Sequence, residues 1–176
     1  MNDETLGITT LHQLLVYDAR KCSSAEAQLV NILPFWINLA GSITLKNVLQ
    51  EYQAWVQQHT GRLLEFINDE KIDSLSRTNM VMQAFITETR EKVNNCTDQE
   101  VQDACLLACI QAINHYKISM YGTAAAFAKA LGNDKAAIVF HEAELNEKQI
   151  DEKLSAFAQQ EINVKAVAPI LLMGKK

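Results

Sequence analysis

Apolar residues recur along this chain at spacings of three and four, and five stretches carry the pattern. The first is marked by Leu11, Leu14, Leu15, Ala19, Cys22, Leu29, Val30 and Leu33, and predicts a helix over about 11–40. Thr10 with Gln13 has the form of a capping box at its start, while Ser23-Ser24 and Pro34 predict an interrupted or kinked course. Leu45, Val48, Leu49, Tyr52, Trp55, Val56, His59, Leu63 and Phe66 predict a second helix over about 43–68. A third, over about 74–94, carries Met80, Val81, Ala84 and Phe85 and stops at Asn94-Asn95. Thr97 with Glu100 reads as a second capping box, opening a long helix over about 98–131 that Gly132 closes. Ile138, Ala143, Ile150, Leu154 and Phe157 predict a last helix over about 134–161. Residues 1–9 form an arm and 162–176 an apolar tail. No segment alternates with period two, so the chain is expected to be all-α: one domain over 1–176, an antiparallel four-helix bundle with an additional helix.

Each helix also sets a polar residue among its apolar positions. Glu26 shares a face with Ala19, Cys22 and Leu33; His59 with Tyr52 and Leu63; Glu88 with Val81 and Phe85. Asn114, Lys117 and Tyr121 share a face otherwise lined by Leu107, Ile110, Ala124 and Ala125, and Glu147 with Asp151 interrupts the last helix. Buried polar groups cost free energy unless partnered, so these positions need partners or water. Polar residues at mid-bundle on facing helices are how carboxylate-bridged di-iron centres are built. The competing reading is plainer. A Glu on such a face usually reaches water, a single His59 is more often a hydrogen-bonded core histidine, and Cys105 and Cys109 are small hydrophobes.

Composition narrows the function classes. The 176 residues suffice for one real core, and 48% apolar with 21% charged is ordinary globular composition. A formal charge of −5 makes nucleic acid a poor partner. Cys22, Cys96, Cys105 and Cys109 contain no Cys-x-x-Cys pair, which points to a reducing compartment. Met1–Thr5 is acidic and lacks a signal-peptide core, and the apolar tract Ala166–Met173 falls far short of the roughly 20 residues that span a bilayer. A cytoplasmic protein with no membrane partner is expected. Nucleophile constellations, phosphate loops and nucleotide motifs are absent from the sequence.

Several stretches resemble signatures of the YciF-like proteins, a ferritin-like family of bacterial stress proteins. They are Ala25-Glu26-Ala27-Gln28-Leu29, Glu88, His115-Tyr116 with Tyr121-Gly122-Thr123, Leu131-Gly132, Glu147-Lys148 and Asp151-Glu152-Lys153-Leu154, in register over about 11–165. The resemblance implies a ferritin-like bundle, cytoplasmic location, dimeric packing and, in typical members, a carboxylate-rich metal centre. This chain departs from the pattern where it matters. Family members usually carry Glu-His-Tyr-Glu where this chain has Asn114-His115-Tyr116-Lys117. A Glu-Thr pair becomes Trp55-Val56, a following Gln becomes His59, and one Glu of a pair becomes Asn146.

Two divalent ions need about four compensating charges; Glu26, Glu88 and Glu147 supply three and Lys117 cancels one. The expectation is therefore a ferritin-like bundle that has lost its di-iron centre: a non-enzymatic stress or interaction protein, homodimeric, with no cofactor. Glu26, His59, Glu88, Asn114, Lys117, Glu147 and Asp151 would be the remaining polar cluster. Lys117 is expected to bridge Glu26, Glu88 or Glu147, with Asn114 adding a hydrogen bond, and Trp55 to fill space that relatives leave for metal. One alternative is a divergent iron or zinc protein with peroxide or ferroxidase chemistry, using Glu26, His59, Glu88, Glu147 and Asp151. Another is a small-molecule-binding bundle with its pocket at Trp55 and Tyr52. The tail Ala166–Met173 is expected to pack on its own bundle or on a partner subunit.

Overall fold

The computed structural model of the chain describes residues 7–72 and 77–167. Within them, helix α1 runs unbroken over Leu11–Leu39. Its capping box is formed: Thr10 Oγ1 accepts from the Gln13 amide at 3.1 Å, and Gln13 Oε1 accepts from the Thr10 amide at 3.2 Å. The interruption expected at Ser23-Ser24 does not occur. Ser24 turns its hydroxyl to the Asn79 amide, 2.9 Å away, instead of competing with the helix for backbone partners. Pro34 lies on the exposed side of α1, where water can hydrate the carbonyl that its ring deprives of a donor.

Helix α2 spans Ile43–Asp69. The turn before it is held from the far side of the bundle: Asp103 accepts hydrogen bonds from the amides of Gly41 (2.8 Å) and Ser42 (2.7 Å). Helix α3 covers Met80–Asn94 and begins later than the expected start near 74. Asn79 sets the start, because its side chain accepts from the Met82 amide at 2.9 Å and donates to Lys21 O and Tyr116 Oη. The earlier part of that expected helix includes 73–76, outside the described residues. Helix α4 spans Gln99–Ala130, and its cap is Asp98 rather than Thr97. The Asp98 carboxylate accepts from the amides of Glu100 and Val101, and an anion suits a helix N-terminus better than a hydroxyl does. At the far end Gly132 takes φ +70°, while its own amide reaches Lys129 O and the Asn133 amide reaches Ala128 O. These are the paired closing bonds that free a helix end for a glycine turn. Helix α5 covers Asp134–Phe157 and continues through a π turn at Ala158–Ile162 into α6, Asn163–Ala166.

Short turns fold α1 on α2 and α4 on α5 as two helical hairpins. The hairpins close a ring in which α1 touches α2 and α4, and α5 touches α4 and α2. Helix α3 lies outside that ring, against α4 and α1, within the connection between the hairpins. A four-helix bundle with one long connection is the ferritin-like arrangement. Two apolar clusters fill it. One holds Leu29, Leu33, Trp36, Tyr52, Val56, Ile110 and Leu154; the other holds Leu15, Leu63, Phe66, Tyr121, Phe140 and Ala143. A layer of buried polar side chains lies where the two clusters meet. No helix among the described residues is long and apolar enough to cross a membrane. The packing expected of Ala166–Met173 falls largely on 168–176, outside the described residues.

Candidate functional site

Each of the four ring helices contributes to the polar layer: Glu26 from α1, His59 from α2, Asn114 and Lys117 from α4, Glu147 from α5. All five are buried, and Lys117 is fully so. Helical spacing explains the convergence. Asn114, Lys117 and Tyr121 lie one turn apart in succession, in line with Ile110 and Ala124, so the stripe of α4 that faces the axis carries them inward.

Lys117 stands at the centre. Its Nζ is 2.5 Å from Glu147 Oε1 and 3.0 Å from Glu26 Oε1. It also lies over the Tyr52 ring, 4.8 Å from the centroid, a cation–π placement in a desolvated setting. Asn114 Nδ2 donates to Glu147 Oε2 at 2.6 Å, and the Tyr121 hydroxyl donates to Glu26 Oε1. His59 Nδ1 is 3.4 Å from both Glu26 Oε1 and Glu147 Oε1. Its Nε2 lies 3.2 Å from the Asn146 amide nitrogen, and its ring meets Tyr121 edge-on.

Burial pulls the Lys117 ammonium toward neutrality, but Glu147 and Glu26 outweigh it and raise its pKa above the ordinary 10.5. For Glu26, burial pushes the carboxyl up; Lys117, then His59 and Tyr121, bring it below the ordinary 4.5. His59 is pulled down by burial and raised beyond 6.5 by its two carboxylate neighbours. The layer thus carries two negative charges and one positive, and is neutral when His59 holds its second proton. Tyr52 and Tyr121 are both held well above 10 by burial and by the neighbouring carboxylates, so they remain phenols.

Glu88 does not belong to this layer. It is exposed on α3, the helix outside the ring, and pairs with Lys92 on its own helix at 3.3 Å. Asp151 also lies apart, near His115 Nε2 at 3.1 Å toward the surface. Trp55 is only half-buried at the core edge and does not fill the centre. Lys117 lies over the face of Tyr52, a residue that the small-molecule alternative placed at its pocket. Two participants were not anticipated in their roles. Tyr52 is the floor beneath the ammonium, and its place seven residues before His59 on the same stripe was the available signal. Asn146 reaches His59 from α5, and nothing in the spacing of α5 marked it.

Ligand atoms of Glu26, His59 and Glu147 lie within 4.8 Å of one another, near enough to surround a single ion. The Lys117 ammonium occupies the same space. Unit charges 4 Å apart interact by about 4 kcal/mol at an effective dielectric of 20, and a divalent ion doubles that repulsion. Two carboxylates offset by one ammonium do not fit a pair of divalent ions.

Comparison with known proteins agrees with this fold. The family described as "Domain of unknown function (DUF892)" matches residues 10–167. Escherichia coli (strain K12) Protein YciF is 30% identical over 165 residues, covering 92% of this chain and 98% of that one. The crystal structure of that E. coli stress protein superposes with a TM-score of 0.82 at 28% identity, over 89% of this chain and 99% of its own. YcfI from Rhodopseudomonas palustris gives the same TM-score and identity over 86% and 96%. A two-domain Anabaena variabilis protein with DJ-1/ThiJ/PfpI-like and ferritin-like domains aligns over 96% of this chain and 42% of its own, with a TM-score of 0.61 at 15% identity. That last likeness concerns the fold alone. The chain belongs to the DUF892 family.

Proposed function

We propose that this member of the DUF892 family, a ferritin-like bundle similar to the stress protein YciF, has exchanged a metal centre for an internal ammonium. It would act as a non-enzymatic stress-related or interaction protein, cytoplasmic and homodimeric. One observation carries the reading: Lys117 Nζ lies 2.5 and 3.0 Å from Glu147 and Glu26, the two carboxylates that would hold a metal ion here. Breaking such a buried pair by removing one partner is strongly destabilising, so the lysine holds the bundle together where a metal ion would otherwise hold it. The stress association rests on the relative, and the dimer on the family resemblance.

The test is elemental analysis of protein purified without chelator and then equilibrated with Fe(II) or Zn(II). The expected content is well below one ion per chain, unchanged in Glu147→Gln. A stoichiometric ion that Glu26→Gln or Glu147→Gln abolishes would overturn the reading. Sedimentation equilibrium reads the assembly separately, with a dimer mass expected.

The convergence of Glu26, His59 and Glu147 favours a second reading, a single iron or zinc ion held by these three. It requires Lys117 to leave or to lose its proton. Lys117→Met should then bind the ion more tightly than the natural chain, whereas under the first reading that variant is chiefly less stable.

A further inference from the structure

We propose that the cleft between α1, the start of α3 and α4 binds a small organic ammonium, with Asp18 receiving its charge and Tyr116, Met80 and Met120 its apolar body. The site is separate from the polar layer and independent of the reading of that layer. A cavity of about 420 Å³ opens there, within the range of small-ligand sites. Asp18 and Lys21 line its α1 side, and the buried Cys22 lies at its back. Asp18 and Lys21 stand three apart on α1, a spacing at which opposite charges normally meet. They do not pair here. Lys21 Nζ donates instead to Thr78 O at 2.7 Å and lies over the Tyr17 ring, 5.6 Å from its centroid. Arg77 lies over the same ring at 5.5 Å. Both cations are thus engaged elsewhere, and among the described residues Asp18 has neither an ion pair nor a hydrogen-bonding partner.

The apolar walls are fixed before any ligand arrives. Asn79 is buried, its Nδ2 donates to Tyr116 Oη at 3.0 Å, and the same nitrogen lies 3.6 Å from Met120 Sδ. Phe85 backs Tyr116, with ring centroids 5.7 Å apart. Walls already ordered keep the entropic cost of binding low. At the mouth Met80 and Val81 are 64% and 48% exposed, apolar surface that the body of a ligand would cover. The chemistry selects that ligand. A carboxylate beside aromatic and thioether surface suits a cation with an apolar body, because ion pair, ring face and sulfur contact all favour it together. One carboxylate is too few for a hard metal ion. An anion would meet Asp18 and find Lys21 already bonded. Burial pushes the Asp18 carboxyl above its ordinary 3.8, the mark of a carboxylate short of water and of counter-charge, which an ammonium would supply.

The experiment titrates the isotope-labelled full chain with phenethylammonium, and in parallel with the neutral phenethyl alcohol and the anionic hydrocinnamate, reading amide chemical shifts by NMR. The ammonium should shift amides of 17–22, 79–81 and 116–123 saturably and leave the rest of the chain in place. It should bind at least about tenfold more tightly than the alcohol, a step of about 1.4 kcal/mol. Asp18→Asn should lower the affinity for the ammonium to that for the alcohol without loss of stability, since Asp18 gives up no partner. Thr123→Trp, at the exposed rim, should block both probes. Glu88→Gln, an exposed carboxylate elsewhere on α3, should change neither. Equal affinity for ammonium and alcohol, tighter binding of hydrocinnamate, unchanged affinity in Asp18→Asn, or no saturable shift with millimolar ammonium would each overturn the proposal.

Discussion

Lys117 decides what the centre of this bundle can be. Its ammonium has no water to solvate it, so its charge is sustained by Glu26 and Glu147 alone, with the Tyr52 ring beneath. Lys117→Met keeps the volume and removes the charge, leaving two buried carboxylates with only His59 to offset them. The expected cost is about 3–5 kcal/mol at pH 7. The loss should shrink in acid, where the orphaned carboxyls protonate. Urea unfolding at pH 7 and pH 4 checks both parts, and a loss under about 1 kcal/mol at pH 7 would place the ammonium in water instead. Most of this cluster was legible in the sequence, because helical period fixes which face a residue occupies: Glu26, His59, Asn114, Lys117 and Glu147 each sat on an apolar stripe. Glu88 sat on a similar stripe and is nonetheless exposed. Periodicity reports a face but not which helix it meets, and α3 packs from outside the ring through Met82, Thr89 and Val93.

At the scale of the elements, helix existence followed from apolar spacing, whereas helix ends followed from individual caps. The sequence reading starts α3 at about 74, whereas Asn79, bonded to α1 and α4, fixes where winding begins and puts the first helical residue at Met80. The start of α4 was misread by one residue because a Thr-x-x-Glu pattern competes with an adjacent aspartate. Asp98→Ala should accordingly cost about 1 kcal/mol and Thr97→Ala no more than a few tenths, read as melting-temperature shifts. Equal losses would restore Thr97 as the cap. A tie between hairpins makes a larger prediction. Asp103 on α4 holds the Gly41 and Ser42 amides that open α2, so Asp103→Ala removes two charge-assisted bonds at once. A loss of about 3–6 kcal/mol is expected by chemical denaturation, since each hydrogen bond to a charged group is worth about 1.5–3 kcal/mol. Such a long-range tie leaves no trace in local sequence.

For the whole molecule, the polar layer makes stability depend on pH in a specific way, because it joins two otherwise apolar clusters. Glu26 is held below 4.5 in the folded state, so its contribution is complete above 4.5 and is lost as pH falls through the folded value. His59 is held above 6.5, so its contribution is complete below 6.5 and is lost as pH rises through the folded value. Lys117, raised above 10.5, begins to release its share only beyond that. These groups together place maximum stability between about 4.5 and 6.5, more acidic than neutral. The acid limb is shared with Glu144 and Glu161, which Lys148 and Lys165 hold low, so the alkaline limb is the diagnostic one. Unfolding free energy should decline as pH rises above 6.5, since the layer then carries an unbalanced negative charge in a desolvated core. His59→Gln, which keeps a hydrogen-bonding side chain without the titration, should abolish that decline and leave the acid limb in place. Denaturation of both proteins from pH 4 to 9 at fixed ionic strength reads the two limbs directly. A natural chain whose stability is flat from pH 6 to 9 would mean that His59 stays neutral between its carboxylates and that Lys117 alone balances the layer.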